Sequence, residues 1–335
     1  MNFALYRLPY AETYTEVRSE RDPIRISSCE EIGTEAGFLV APFDCKNRRT
    51  PIILIRPDVV ECKSVGKQKV SDKCETTETG KMSDSYASDF LKFHDAIVRG
   101  EFKKLVLSRS KEIPFNRTDY TSIFLEACQR YPRLMVMLVS TSLTGTWIVA
   151  TPEILLTGDG TWWKTMALAG TMPYREGFTE WSKKNQQEQH FVETYIENRL
   201  SLFSGDILKD GPFTQRAGNL VHLCTEFRFH LAEGKSIGNI LASLHPTPAV
   251  CGITKEEASQ FIEDNETTER LYYTGFMGPV GIGDATHIYV SLRCAKLSSG
   301  TATLYAGGGI MPESYALSEW EETEHKMKTI GDVLE

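Results

Sequence analysis

Short apolar runs separated by turn residues recur along this chain, and they constrain its fold more than any other feature. The stretch "LYYTGFMGPVGIGDATHIYVSLRCAKL" (271–297) places apolar runs on both sides of a glycine-rich centre, which is typical of a β-hairpin. Strands in hairpins followed by blocks of helix favour an α+β fold with a large, mostly antiparallel sheet. Further apolar runs at strand spacing are "EAGFLVAPF", "PIILIRPDVV", "KKLVLSRSKEI", "RLMVMLVS", "TWIVATPEILLTG", "WWKTMALAGT" and "TATLYAGGGIM".

Helices are indicated where apolar residues recur three and four positions apart. The stretch 83–100 has this spacing, Ser83 or Ser85 can cap its start, and Gly100 suits its end. Similar spacing predicts helices in "EQHFVETYIENRLSLF" and "SIGNILASLH". Residues 61–84 are polar and almost free of large apolar groups, which predicts an exposed loop.

Composition excludes several classes of partner. The chain has 335 residues and a net charge of −8, without a basic run, so a nucleic-acid partner is not expected. No apolar run approaches the roughly 18 residues of a membrane-spanning helix, and the N-terminus is too polar for a secretory signal. The eight cysteines are scattered, which favours free thiols in a reducing cytoplasm.

The stretch "AGGGIMPESYALSEWEETEHK" (306–326) sets three glycines before a helix that is rich in glutamate. Glu319, Glu322 and Lys326 share one helix face, and stacked carboxylates of this kind can hold a hard divalent cation. A solvated acidic face is the alternative, but the glycines favour a ligand because they let the backbone approach it closely. The opposite face is expected to pack inward through Leu317, Trp320, Met327 and Ile330.

Three further charged residues stand next to apolar segments. Glu188 lies one turn before Val192, above the buried side of its helix, although a first-turn glutamate also suits the helix dipole. Glu153 enters an apolar run, where burial would raise its pKa and suit it to general acid catalysis at neutral pH. Lys104 enters a strand, where loss of solvent would suit it to act as a base. A strand-edge position explains Glu153 equally well without a function, and for Lys104 alone a position at the sheet margin is the better interpretation.

Together these stretches resemble one family, the chorismate-utilising enzymes, and within it the isochorismate synthases. The resemblance runs from about residue 85 to the C-terminus, whereas the first 80 residues match only vaguely. The stretches that carry it are "KLVLSR" (104–109), "TPEILL" (151–156), "LAGT" (168–171), "EQHFVE" (188–193), "LHPTPAVCG" (244–252), "SLRCAKL" (291–297), "LYAGGGI" (304–310) and "SEWEET" (318–323).

The resemblance implies a fold and an activity. The fold would be one α+β domain over residues 1–335, with two stacked, mostly antiparallel sheets flanked by helices. Residues 85–335 would form the chorismate-binding catalytic region, and residues 1–84 a less recognisable part of the same domain. The activity would be the Mg²⁺-dependent interconversion of chorismate and isochorismate, by addition of water at ring carbon 2 and loss of the hydroxyl group at carbon 4.

Roles for individual residues also follow from the resemblance. Glu188 and Glu322 would hold Mg²⁺, and Glu319 would hold a metal-bound water. Lys104 would be the base for the water and Glu153 the acid for the departing hydroxyl group. The residues that would bind the substrate are Arg293, Tyr273, Gly170, Thr171, Gly307, Gly308, Lys326 and His245.

Relatives with other activities differ at a few positions. Aminodeoxychorismate synthases carry a nucleophilic lysine where this chain has Ala169, and anthranilate synthases lack the base that Lys104 would supply. Salicylate synthases keep both Lys104 and Glu153 and then eliminate pyruvate, so that activity stays open. Gln189 departs from the histidine that many members carry there, but it is not expected to bind the metal.

Other classes of function are weaker alternatives. A non-catalytic metal- or anion-binding protein could use the same fold. A nucleotide site at "GPVGIGD" (278–284) would need a following Lys-Ser or Lys-Thr, so a hairpin turn is the better interpretation. We expect a cytoplasmic, monomeric enzyme that serves menaquinone synthesis rather than a siderophore pathway.

Overall fold

The computed structural model describes residues 1–66, 80–177, 180–217 and 220–335. Within these ranges the chain forms eighteen strands and six α-helices. The strands are β1 (Asn2–Arg7), β2 (Thr13–Ser19), β3 (Ile24–Ile26), β4 (Gly37–Ala41), β5 (Ile52–Ile55), β6 (Val59–Ser64), β7 (Lys104–Phe115), β8 (Met135–Thr141), β9 (Gly145–Thr151), β10 (Ile154–Gly158), β11 (Trp163–Pro173), β12 (Ile207–Ala217), β13 (Leu220–Phe229), β14 (Gly252–Ile253), β15 (Phe276–Val280), β16 (Thr286–Val290), β17 (Cys294–Ser298) and β18 (Gly300–Ile310). The helices are α1 (Asp84–Val98), α2 (Tyr120–Arg130), α3 (Lys183–Leu200), α4 (Ile237–Leu244), α5 (Lys255–Asn265) and α6 (Ala316–Leu334).

The strands form two nine-stranded sheets. Sheet 1 has the order β14-β7-β18-β17-β9-β8-β1-β2-β6, and sheet 2 has the order β12-β13-β11-β10-β16-β15-β4-β5-β3. The pairings between these strands are antiparallel. The expected α+β fold with two antiparallel sheets is therefore confirmed. The first six strands divide between the two sheets, so the N-terminal residues are built into the same sandwich.

The core between the sheets is formed by alternate residues of the strands. On β8, Met135 and Met137 pack with Phe38 and Met277 of sheet 2. The intervening residue Val136 belongs to a second cluster on the outer face of sheet 1. Both faces of such a strand are buried, which explains why its sequence is a continuous apolar run rather than an alternation.

Helices cover the outer faces of both sheets. Apolar residues of α2 and α6 pack on sheet 1, and those of α3 and α4 pack on sheet 2. Helices α1 and α5 lie together beside β7. Helix α1 begins as predicted, with the Ser83 hydroxyl accepting a hydrogen bond from the backbone N–H of Tyr86. No helix among the described residues is long and apolar enough to span a membrane.

Several local predictions need correction. Residues 61–64 belong to β6 rather than to a polar loop, and residues 67–79 of that loop, with Cys74, lie outside the described ranges. Leu317 does not pack inward, since 59% of its surface is exposed. The glycine-rich stretch 278–284 is a hairpin connection between β15 and β16, as expected. Helices α2 and α5 and the hairpin β12–β13 were not predicted.

Candidate active site

The candidate site is a cavity where the chain crosses between the two sheets. Glu153 lies on the link from β9 in sheet 1 to β10 in sheet 2, and Arg293 lies on the link from β16 back to β17. The cavity encloses about 630 Å³ of open space, including its mouth. Its walls include Glu153, Gly170, Thr171, Glu188, His222, Tyr273, Arg293, Gly307, Gly308, Gly309 and Lys326.

The three glycines at 307–309 belong to strand β18 and pair with β7, so they do not form the turn before α6. A Cβ atom on Gly309 would lie 2.4 Å from Glu188 Oε1 and 3.0 Å from Lys104 Cε. A Cβ atom on Gly308 would lie 3.0 Å from Glu319 Oε2. The glycines therefore leave the space that the carboxylates occupy, and any side chain there would displace them.

Each of the three predicted metal ligands is paired with a lysine. Lys104 Nζ lies 2.9 Å from Glu188 Oε1, and Lys104 is fully buried. Burial acts to raise the pKa of Glu188, but this ion pair holds that pKa below its usual range. The other two pairs join Lys184 Nζ to Glu319 Oε1 at 2.5 Å and Lys326 Nζ to Glu322 Oε1 at 2.7 Å.

Lys184 stands among all three carboxylates. Burial acts to lower its pKa, but the charges of Glu319, Glu188 and Glu322 together raise that pKa. Burial and the neighbouring Glu322 raise the pKa of Glu319, although Lys184 opposes them. The site thus brings three carboxylates together, and their negative charge is balanced by lysines.

The donor chemistry of this cluster suits Mg²⁺, which prefers carboxylate oxygens. The carboxylates of Glu319 and Glu322 meet over Gly308, where a Cβ atom would lie 3.0 and 3.7 Å from their oxygens. Within the described ranges, no three His, Cys, Asp or Glu side chains are already arranged to hold an ion. The residues fit the metal in the kind of ligand they offer, and to hold it the carboxylates would have to exchange their lysine contacts for the ion.

Glu153 is the most strongly perturbed acid of the cavity. Only 2% of its surface is exposed, and burial raises its pKa to about 8, although Lys104 acts in the opposite direction. A carboxyl group with this pKa is mostly protonated at neutral pH. The property that the sequence suggested for Glu153 is therefore present.

Arg293 is held by a buried histidine. Its Nη2 lies 2.5 Å from His222 Nε2, which must accept because a guanidinium only donates. His222 Nδ1 then carries the proton and donates to the Gly170 carbonyl at 3.1 Å. Burial, with Arg293 and Lys326, lowers the pKa of His222 well below its usual value, so the ring is neutral.

Gly170 sits at an irregularity where the register between β11 and β13 shifts. Its φ of +65° lies in the left-handed region that favours glycine. The bulge places Gly170 and Thr171 on the cavity wall, and Tyr273 reaches the same wall from the segment before β15. A Cβ atom on Gly307 would lie 3.0 Å from the Tyr273 hydroxyl oxygen.

Two residues that were named from the sequence, His245 and Gln189, lie behind the cavity wall rather than on it. His245 is buried, and its Nε2 lies 3.1 and 3.0 Å from the carbonyl oxygens of Pro42 and Phe43. Gln189 points into the protein, where Ala169 N–H donates to its Oε1 at 2.9 Å and its Nε2 donates to Ala167 O at 3.1 Å. Gln189 therefore fixes helix α3 to strand β11, in agreement with its expected absence from the metal site.

Two residues of the site were missed by the sequence analysis. Lys184 lies four residues before Glu188, at the helical spacing that brings opposite charges together, and this spacing could have identified it. His222 stands in the apolar run "NLVHLCTEF", and a lone polar residue in such a strand is a signal of burial with a partner.

Residues 54–335 match the sequence profile of the family described as "Chorismate binding enzyme". This protein therefore belongs to the chorismate-binding enzyme family, the class that the fold and the cavity indicate.

Among curated relatives, the vibriobactin-specific isochorismate synthase of Vibrio cholerae is 32% identical over 194 residues, 55% of this chain and 49% of that protein. Isochorismate synthase MenF of Bacillus subtilis is 31% identical over 201 residues, 56% of this chain and 42% of that protein. Isochorismate synthase EntC of Escherichia coli K12 is 29% identical over 242 residues, 69% and 62% of the two chains. The matches thus cover about half of each relative's length.

Solved structures share the fold. The menaquinone-specific isochorismate synthase MenF of Escherichia coli superposes with a TM-score of 0.83 at 20% identity, covering 100% of this chain and 89% of that one. A 2,3-dihydroxybenzoate-specific isochorismate synthase structure, DhbC of Bacillus anthracis, gives a TM-score of 0.82 at 23% identity, covering 99% and 96%.

Proposed function

We propose that this protein is an isochorismate synthase, which interconverts chorismate and isochorismate by adding water at ring carbon 2 and releasing the hydroxyl group at carbon 4. The observation that carries the proposal is a buried acid with a raised pKa on the cavity wall, Glu153, together with a fully buried lysine, Lys104, that pairs with Glu188 of the same wall. The names of the relatives with which the chain aligns support the same activity.

The two residues divide the proton transfers. Glu153 is protonated at neutral pH and supplies the proton that the departing hydroxyl group needs. Lys104 would take the proton from the attacking water in its neutral amine form, because the ammonium that pairs with Glu188 at 2.9 Å has no free electron pair. Because both side chains are buried, bulk water does not compete for either proton.

Chorismate carries two carboxylates, and the cavity offers cations for them. Arg293 can form a charge-assisted, bidentate contact with one carboxylate, and His222 holds its guanidinium in place. Lys326 lies at the same wall, where its Nζ donates to the Gly307 carbonyl at 2.9 Å. Glu188 and Glu322 would hold Mg²⁺, with Glu319 holding a metal-bound water, and the ion would neutralise the substrate's second carboxylate.

We further propose that the product serves menaquinone synthesis. MenF proteins are among the relatives, but so are siderophore-specific enzymes, so this assignment rests on the absence of any sequence feature for iron chemistry. Deleting the gene and measuring menaquinone and siderophore levels would decide it. The cytoplasmic location and the monomeric state stay predictions.

Incubating the purified protein with chorismate and Mg²⁺ and separating the products tests the proposal. Isochorismate alone is the expected product. Salicylate with pyruvate would identify a salicylate synthase, and unchanged chorismate would favour a binding protein. Lys104→Ala should abolish turnover, whereas Lys103→Ala, at the exposed neighbouring position, should leave it intact.

A further inference from the structure

Two cysteines outside the cavity contact each other. Cys29 lies in a 3₁₀ turn (Cys29–Glu31) and Cys45 lies in the segment that follows β4. Their Sγ atoms are 3.0 Å apart, Cys29 is buried and Cys45 is half-buried. Of the seven cysteines in the described ranges, these two are the pair with a recorded thiol–thiol contact.

The separation of the two sulfur atoms is close to that of a bond. A disulfide has an S–S distance of about 2.05 Å, so closure requires a movement of about 1 Å. The segment between the two cysteines contains β4, which is paired on both sides within sheet 2, so the two cysteines flank a fixed strand. The two thiols are thus held in contact by the folded backbone.

We propose that Cys29 and Cys45 are a redox-active pair that closes into a disulfide when the protein meets a small-molecule disulfide such as oxidised glutathione. The neighbouring Cys29 and burial raise the pKa of the Cys45 thiol, so an alkaline buffer is needed to form its thiolate. In the first step this thiolate of the half-buried Cys45 attacks oxidised glutathione and releases one glutathione thiolate. In the second step the Cys29 thiolate attacks the Cys45 sulfur and releases the other. Two cysteine thiols are oxidised to one disulfide, one glutathione disulfide is reduced to two thiols, and the protons pass to these thiols.

The bond would fasten parts of the structure that support the cavity. The turn at Cys29 packs on α4, where a Cβ atom on Gly238 would lie 2.8 Å from the Cys29 carbonyl oxygen. The segment before Cys45 supplies the Phe43 carbonyl to His245, and the Arg270 guanidinium lies 4.4 Å from the Phe43 ring centre. A covalent link between these two segments would stabilise the folded chain. This inference does not depend on the proposed enzymatic activity.

The test uses the reduced full-length protein, equilibrated at mildly alkaline pH in buffers with a rising ratio of oxidised to reduced glutathione. After alkylation of the remaining thiols, trypsin should release one peptide, 26–46, that contains both cysteines. We expect this peptide to resist alkylation and to have lost two hydrogen masses. A second digestion after glutamate cuts between the two cysteines, and the disulfide should then hold the two fragments together.

Cys29→Ser and Cys45→Ser should each remove the crosslink, and Cys62→Ser, at an exposed cysteine, should not. The oxidised wild type should melt about 5 °C higher than the reduced form, and dithiothreitol should reverse the shift. Two results would overturn the proposal. In one, Cys45 carries glutathione in the wild type while Cys29 stays reduced. In the other, both thiols stay alkylatable at every glutathione ratio.

Discussion

Glu153 combines full burial with an ionisable group, and this combination couples its chemistry to the stability of the protein. Its folded-state pKa of about 8 lies above the ordinary value of 4.5. The folded state therefore keeps a proton that the unfolded chain loses. This contribution to stability is complete below about pH 4.5 and is lost as the pH rises through about 8.

Glu153→Gln should separate the two consequences of this burial. Turnover should fall by a factor on the order of 10²–10⁴, because the proton donor is gone. The free energy of unfolding should depend less on pH in the variant than in the wild type. Between about pH 5 and about pH 9, the stability of the variant should therefore rise relative to that of the wild type. Urea unfolding across this range measures the difference, with the exposed Glu233→Gln as control. A constant difference at all pH values would mean that Glu153 is ionised in the folded protein.

A substitution of Lys184 tests whether its ammonium group stabilises the carboxylate cluster when no metal ion is bound. In Lys184→Met the buried Glu319 loses its partner, so the melting temperature without Mg²⁺ should fall. Because the ion would no longer compete with an ammonium group, Mg²⁺ should bind more tightly and restore much of the loss. Calorimetric titration and melting curves measure both effects, and Lys183→Met on the exposed side is the matched control. If the variant loses the same stability with and without Mg²⁺, Lys184 contributes only to packing.

At the scale of elements, β7, β18 and α6 form the frame of the site. Arg109 on β7 pairs with Glu324 on α6 and stacks 3.5 Å from the Trp320 ring centre. Of the clustered glutamates on α6, Glu319 and Glu322 lie against Gly308 of the cavity wall, whereas Glu324 binds Arg109 and Lys111. Like charges one turn apart repel each other, and here each of these three carboxylates has its own cation.

Gly309→Ala should damage the site without removing a functional group. The added methyl group would overlap Glu188 Oε1 and press on Lys104, so the pair must shift. We expect turnover to fall at least tenfold while the circular dichroism spectrum stays unchanged. Gly205→Ala is the control, since a Cβ atom there has no neighbour within 4 Å. Full activity in Gly309→Ala would show that the position of Glu188 is not critical.

Whether an element could be predicted from the sequence depends on how many of its side chains are buried. Strands buried on both faces, such as β8, are continuous apolar runs and were recognised. Strand β12 lies at a sheet edge and is mostly exposed, and α5 carries only two buried residues, so neither has a clear apolar pattern. Leu317 has the right spacing to pack inward, but it lies in the first turn of α6, where no element within the described ranges covers it.

Sequence motifs predicted individual residues of the site, but they did not predict which of these side chains would contact each other. Glu153 and Arg293 line one cavity, Lys104 reaches it through its ion pair with Glu188, and Glu153 has the raised pKa that its place in an apolar run suggested. The pairing of Lys104 with Glu188 and the link from Arg293 to His222 depend on contacts between distant segments. Such contacts leave no local pattern in the sequence.

At the scale of the whole molecule, the net charge of −8 opposes binding of a dianionic substrate, so local cations must provide the attraction. If Mg²⁺ bridges the carboxylate cluster and the substrate, each ligand should strengthen binding of the other. Titrating Mg²⁺ at several fixed chorismate concentrations measures this coupling, and EDTA should abolish turnover reversibly. If the apparent affinity for Mg²⁺ does not change with the chorismate concentration, the ion and the substrate do not contact each other.

The position of Glu153 and Arg293 on the links between the sheets has a consequence for the order of folding. Each link joins strands of different sheets, and Lys104 and Glu188 approach the cavity from β7 and α3. Neither sheet alone can bring these four residues together, and contacts between distant segments form slowly. During refolding from denaturant, turnover should therefore return later than the far-ultraviolet circular dichroism signal, which reports the strands and helices themselves. Identical rate constants for the two signals would mean that the sheets associate as they form.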